Sequence, residues 1–246
     1  MRLTTPTALD PLRRSAAGQV AGALIALGLV TTEITARLGL GFAYPLKSLV
    51  VFLIMVGLLS PLLSLHRPHA RFGPANTVTL LRLGLTASLA GLVGAPTSTL
   101  GWWIVGSALV VVTLDGVDGW LARRYRTESA FGARFDMETD ALLILVLAML
   151  AWQLDKAGPW ILLAGVLRYA FVGAGHWWAW IHRPLPCSFR RKTACVLQIA
   201  TLIACLTPLL HTPSSAWVAG VGLVFLCYSF WVDLRWLKRN ANRIED

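Results

Sequence analysis

Four aspartates stand at spacings that place them on two neighbouring helix faces. Asp115-Gly116-Val117-Asp118-Gly119-Trp120-Leu121-Ala122-Arg123 follows directly on the apolar run from Trp102 to Leu114. After eight further residues come Gly132, Asp136 and Asp140. At about 100° per residue, Asp115 and Asp118 lie about 60° apart on one helix, and Asp136 and Asp140 about 40° apart on the next. Glu138 falls on the opposite face. A short turn between the two helices brings the four carboxylates together. Like charges at that range repel unless they share protons or bind cations. Hard divalent cations, which prefer oxygen ligands, suit such a cluster. Acids within an apolar segment are costly and mark an ion or substrate site.

Other polar residues lie in apolar surroundings. Asn76-x-x-Thr79-x-x-Arg82 puts three polar groups on one slowly rotating face of a helix otherwise made of Val78, Leu80, Leu81 and Leu83. Read alone, it is either a helix cap with a snorkelling arginine or part of a site. Arg168 sits mid-span in Val166-Leu167-Arg168-Tyr169-Ala170, where it needs a partner or a polar cavity. Arg190-Arg191-Lys192 opens a later helix, as a phosphate site or as a topology anchor. Arg123 ends its helix, where it compensates the dipole or binds phosphate.

The elements that must position these residues are membrane helices. The chain of 246 residues is 56% hydrophobic and 14% charged, a balance foreign to soluble domains, and several apolar runs reach spanning length. The pattern predicts an all-α polytopic membrane helix bundle with spans at about 16–34, 48–65, 76–94, 101–122, 136–154, 159–181, 193–210 and 216–235. Its parts are an N-terminal tail (1–15), two additional transmembrane helices (16–65), a linker with two prolines (66–75), a six-span catalytic core (76–238) and a C-terminal tail (239–246). Most of the 22 lysines and arginines, among them Arg13, Arg14, Arg67, Arg71, Arg123, Arg124, Arg190 and Arg191, fall on one side. Arg37, Lys47 and Lys156 fall on the other. The positive-inside rule then puts both termini and the aspartates on the cytoplasmic side. The net charge of +10 is mostly this topology signal, suits anionic lipid and gives no case for nucleic acid. Cys187, Cys195, Cys205 and Cys227 lack any C-x-x-C spacing and read as small core residues. The Trp177-Trp178-Trp180 cluster suits an interfacial belt, and His176 within it reads as structural.

The aspartate segment resembles the signature of the CDP-alcohol phosphotransferase (CDP-alcohol phosphatidyltransferase) family, D-x-x-D-G-x-x-A-R-x8-G-x3-D-x3-D. Asp115, Asp118, Gly119, Ala122, Arg123, Gly132, Asp136 and Asp140 match every fixed position. The similarity runs from Asn76 to about Asp233. Asn76, Thr79 and Arg82 are similar to the N-x-x-T-x-x-R of the family's nucleotide pocket, with the usual proline displaced to Pro74. Arg168 is similar to an arginine of phosphatidylglycerophosphate synthases that precedes a glutamate, here Tyr169. The segment from Lys192 to Gln198 is similar to K-x-x-T-x-x-Q, with Cys195 in the threonine position.

The resemblance implies a transferase that moves a phosphatidyl group from CDP-diacylglycerol to an alcohol and releases CMP. It implies two divalent ions, Mg²⁺ or Mn²⁺, on Asp115, Asp118, Asp136 and Asp140, with Asp140 as general base. Nucleotide or phosphate contacts fall to Asn76, Thr79, Arg82, Gly119, Ala122, Arg123, Gly132, Arg168, Arg191 and Lys192. Homodimerisation, membrane lipids as partners and a bacterial inner-membrane location follow from the same resemblance. The same motif serves transfer of a CDP-linked polar alcohol to diacylglycerol, and a cation transporter or channel is the more distant alternative.

Overall fold

The computed structural model describes residues 10–96, 99–178 and 188–242. Trp180 and Cys187 lie outside the described residues, as do the side chains of His176 and Trp177. Among the described residues every regular element is helical. The order is α1 (Asp10–Leu38), α2 (Ala43–Leu59), a 3₁₀ helix (Ser60–His66), α3 (Gly73–Gly91), α4 (Gly101–Tyr125) and α5 (Ala130–Gln153). A second 3₁₀ helix (Pro159–Leu162), α6 (Leu163–Trp177), α7 (Phe189–Leu206) and α8 (Ser214–Asn242) complete it. The all-α bundle expected from the sequence is the observed fold. Among the described residues four helical segments are long and apolar enough to cross a membrane: Pro11–Leu38, Ala43–His66, Gly101–Tyr125 and Ser214–Asn240. The remaining long helices carry charge within or beside their apolar runs: Arg82 in α3, Asp136 and Asp140 in α5, Arg190 to Lys192 in α7.

The element limits differ from the sequence expectation where local hydrogen bonding decides them. The second span gives way at Ser60 to a 3₁₀ helix with proline in its first turn, since Pro61 cannot donate to the α ladder. That 3₁₀ helix carries His66 into the interior, where it is fully buried; it is no part of a solvated linker. α5 begins at Ala130 rather than 136 because Ser129 Oγ accepts the Gly132 N–H at 3.0 Å, as an N-cap does.

The chain forms two compact units. The first holds Met1–Thr97 and Gly106–Asp140. In it α2 and α3 are joined by Tyr44 Oη and Ser88 Oγ at 2.7 Å. Lys47 Nζ donates to the Val93 carbonyl at 2.5 Å, just past the end of α3, where orphan carbonyls favour a cation. At the end of α4, Thr127 N–H reaches the Ala122 carbonyl at 3.0 Å and Arg126 N–H the Arg123 carbonyl at 3.3 Å. This is a Schellman closure, with Arg126 at φ 53 in the left-handed position glycine usually takes. It turns the chain sharply towards α5.

The second unit holds Ser98–Val105 and Ala141–Asp246. Leu202, Cys205 and Leu206 of α7 are buried. Arg190 at the start of α7 donates to the Ser229 hydroxyl of α8 at 2.9 Å, to the Ser229 carbonyl and to Asp233. Lys156 donates to the Thr207 carbonyl at 3.1 Å and to that of Leu210, capping the end of α7. Cys205 and Cys227 are free thiols. Packing in such helices rests on van der Waals contact and interhelical hydrogen bonds.

Candidate active site

α3 presents Asn76, Thr79 and Arg82 at three-residue steps, and all three are buried. Arg82, 1% exposed, extends into a ring of carboxylates. Its Nη1 lies 2.7 Å from Asp118 Oδ2 and 2.5 Å from Asp136 Oδ1. Its Nη2 lies 2.6 Å from Asp115 Oδ1 and 2.6 Å from Asp140 Oδ1. Thr79 Oγ1 donates to Asp118 Oδ2 at 2.9 Å, fixing the most buried of the four acids. The Schellman turn after α4 and the Ser129 cap before α5 bring the two pairs to the same guanidinium.

One cation therefore faces four acids. A single guanidinium cannot balance them, and its Nε is buried without a hydrogen-bond partner. Oxygen ligand atoms of Asp115, Asp118 and Asp136 lie within 4.8 Å of one another, close enough to share an ion. This oxygen-only donor set, rich in negative charge, fits Mg²⁺ or Mn²⁺. Asp140 meets the guanidinium from the following turn of α5. Glu138 pairs instead with Arg134, Oε1 to Nε at 3.0 Å.

An open cavity of about 210 Å³ borders the cluster. Asn76, Thr79, Asp118, Gly119, Ala122, Arg123, Gly132 and Asp136 line it, with Thr127, Glu128 and Ser129 from the α4–α5 turn. Gly132 allows a close approach here: a Cβ would stand 3.1 Å from Asn76 Oδ1 and 3.4 Å from Ser129 Oγ, so the Asn76 side chain would have to give by a few tenths of an ångström. A Cβ on Gly119 would meet the Arg123 guanidinium at 3.3 Å, so its absence lets Arg123 fold back along its helix. Arg168 is half-buried in α6, Arg191 half-buried and Lys192 exposed in α7, all within the second unit.

Sequence reasoning passed over His66 and Ser129. Ser129 had a readable signal, a serine immediately before a helix start, masked by the expectation that the helix began later. His66 had none, because its partners are fixed by tertiary contact.

Residues 72–228 match the family model for CDP-alcohol phosphatidyltransferase, well over half of the chain. The chain belongs to that family. It is accordingly a membrane-embedded transferase of phosphate-containing groups that acts on CDP-linked alcohols. Among curated proteins and solved structures, none gives a significant match to the chain.

Proposed function

We propose that this enzyme transfers the phosphatidyl group of CDP-diacylglycerol to an alcohol acceptor and releases CMP, as a step of phospholipid biosynthesis. The observation that carries this reading is the surplus of carboxylates around Arg82 beside the open cavity. Asp115, Asp118 and Asp136, joined by Asp140, are the residues that would hold Mg²⁺ or Mn²⁺. Such ions supply neutralisation of the pyrophosphate and of the leaving phosphate oxygen.

The chain's own groups do the rest. The acceptor hydroxyl oxygen bonds to the lipid-bearing phosphorus as the bond from that phosphorus to the CMP oxygen breaks. Asp140 takes the hydroxyl proton. Asn76, Thr79, Gly119, Ala122, Arg123 and Gly132 cradle the nucleotide, while Arg82 holds the carboxylates in register. Arg168, Arg191 and Lys192 suit an acceptor that carries phosphate. From Asp115 to Arg123 the helix rises about 12 Å, so the reacting phosphate sits just below headgroup level and the acyl chains stay in the bilayer.

The basic residues orient eight spans with both termini and the site in the cytoplasm, in a bacterial inner membrane, and the protein works as a homodimer. Purified protein offered CDP-diacylglycerol with a panel of alcohols should release CMP. Release only from CDP-choline or CDP-ethanolamine with diacylglycerol would reverse the direction of transfer, and ion flux without CMP would remove the enzyme reading. Cysteine labels at Arg126 should react from the cytoplasmic side and at Ser214 from the other.

A further inference from the structure

The family match begins at residue 72, so α1, α2 and the 3₁₀ helix that ends in His66 stand outside it. His66 nevertheless reaches the cavity wall. Its ring is fully buried, with Nε2 3.0 Å from the Arg71 carbonyl and Nδ1 2.7 Å from Ser129 Oγ. A carbonyl oxygen only accepts, so the ring proton sits on Nε2 and the Ser129 hydroxyl donates to Nδ1, and the 3.4 Å approach of Asn76 Nδ2 to Nε2 is then a contact between two donors rather than a hydrogen bond. The hydroxyl oxygen keeps its lone pairs for the Gly132 N–H, the cap of α5. Gly132 in turn packs on Asn76, whose Nδ2 donates to the Phe72 carbonyl at 2.6 Å, and Phe72 N–H reaches Ser15 of α1 at 3.3 Å. The Phe131 ring lies edge-on to His66 with centroids 5.8 Å apart, and Phe135 backs Phe131 at 5.7 Å.

We propose that His66 is a positioning residue for the cavity. Through Ser129 it fixes the first turn of α5, so the N-terminal helices are working parts of the nucleotide site. This rests on the reading of the cavity as the seat of the CDP moiety. His66 touches no reacting atom. Its bond to Ser129 sets where the wall stands, and a wall displaced by about 1 Å is enough to weaken binding and catalysis.

The two ring nitrogens can be separated by substitution. His66→Gln keeps a donor near the Nε2 position for Arg71 and loses the acceptor for Ser129. His66→Asn keeps an acceptor near the Nδ1 position for Ser129 and loses the link to Arg71. CMP binding with Mg²⁺ to the full-length protein in detergent, thermal midpoints without nucleotide, and KM and kcat for the CDP-lipid are the measurements. His66→Gln and Ser129→Ala should each weaken CMP binding about tenfold, the scale of one hydrogen bond. KM should rise in parallel while kcat changes less. His66→Asn should recover most of the affinity. The double variant His66→Gln/Ser129→Ala should bind no worse than Ser129→Ala alone, since the bond lost on changing His66 is already absent when Ser129 is alanine.

A scaffold role alone would lower the midpoint for both histidine variants and leave CMP affinity untouched, which would overturn the proposal. Losses that multiply in the double variant would overturn it equally. Should His66→Gln not fold, His66→Phe takes its place, since it keeps the ring contact with Phe131 and loses the Ser129 bond; wild-type CMP affinity in it overturns the proposal. A wild type that binds no CMP removes the cavity reading and the proposal with it, whereas unchanged variants of a CMP-binding wild type remove only the proposal.

Discussion

Arg82 and Arg190 are both arginines at helix–helix contacts, and each is held by carboxylates from elsewhere in its unit. Arg190, 28% exposed, faces one acid, Asp233, and spends its other donors on Ser229. Charge there is balanced and the hydrogen bonds are met. Arg82, 1% exposed, faces four acids within 2.7 Å and leaves its Nε without a partner. The first arrangement is complete as it stands and ties α7 to α8. The second carries more negative charge than its arginine can answer, and repulsion among the acids is relieved only by further cations or protons. An unbalanced cluster around a buried arginine marks chemistry; a balanced pair marks architecture.

The comparison breaks most sharply at the ion ligands. Asp136→Asn removes one of the three acids proposed to share an ion, and it should abolish turnover and metal-dependent CMP binding together. Chelation of the wild type should do the same, reversed by Mg²⁺ or Mn²⁺. Full activity in metal-free buffer would make the surplus of charge at Arg82 a structural curiosity. Asp140→Asn should act differently. As the proposed proton acceptor it should lose roughly 10²–10⁴-fold in turnover, while CMP binding in the presence of metal falls much less. Equal loss of both quantities would assign Asp140 to the ion site alone.

The two arginines also show what one sequence reveals. The aspartates were legible because helix periodicity places residues three or four apart on one face, and the same logic found Asn76, Thr79 and Arg82. That Arg82 would sit at the centre of the acids was not legible. Its contacts to Asp118 and Asp140 span 36 and 58 residues of sequence, and no local pattern encodes such a meeting. The Arg190–Asp233 pair, 43 residues apart, is hidden in the same way behind an arginine-rich helix start that reads equally as a phosphate site or a topology anchor. Lys47 and Lys156 are expected on the side with few basic residues. The structure gives the reason: each is bound to carbonyls at a helix end, a contact that only tertiary packing creates.

A smaller effect is expected at the balanced pair. Asp233→Asn strips the countercharge from Arg190. Loss of one partner of a fully buried pair costs about 3–5 kcal/mol, but Arg190 is partly wet, so screening reduces the cost to about 1–2 kcal/mol. At roughly 2–4 °C per kcal/mol for a chain of this size, the thermal midpoint should fall by a few degrees. Metal affinity and CMP binding should stay at wild-type values. A fall in metal affinity without a fall in midpoint would erase the distinction between the two arginines.

The smallest effect should come from Glu138, two residues from both Asp136 and Asp140 and yet outside their cluster. Its carboxylate is bound to Arg134 at 3.0 Å, one turn back on α5, and Arg134 is 42% exposed. That is the balanced arrangement again, in its weakest and wettest form. Pairs of this kind contribute about 0.3–0.5 kcal/mol, so Glu138→Gln should barely move the thermal midpoint and should leave turnover within about twofold of wild type. Its value lies in proximity. It tests whether charge near the site matters, or only charge that converges on Arg82. Electrostatic attraction of ions to an acidic neighbourhood would make Glu138→Gln weaken metal binding about as much as the loss of a true ligand. Convergence predicts no such loss, because the Glu138 carboxylate is paired with Arg134 and takes no part in the cluster that converges on Arg82.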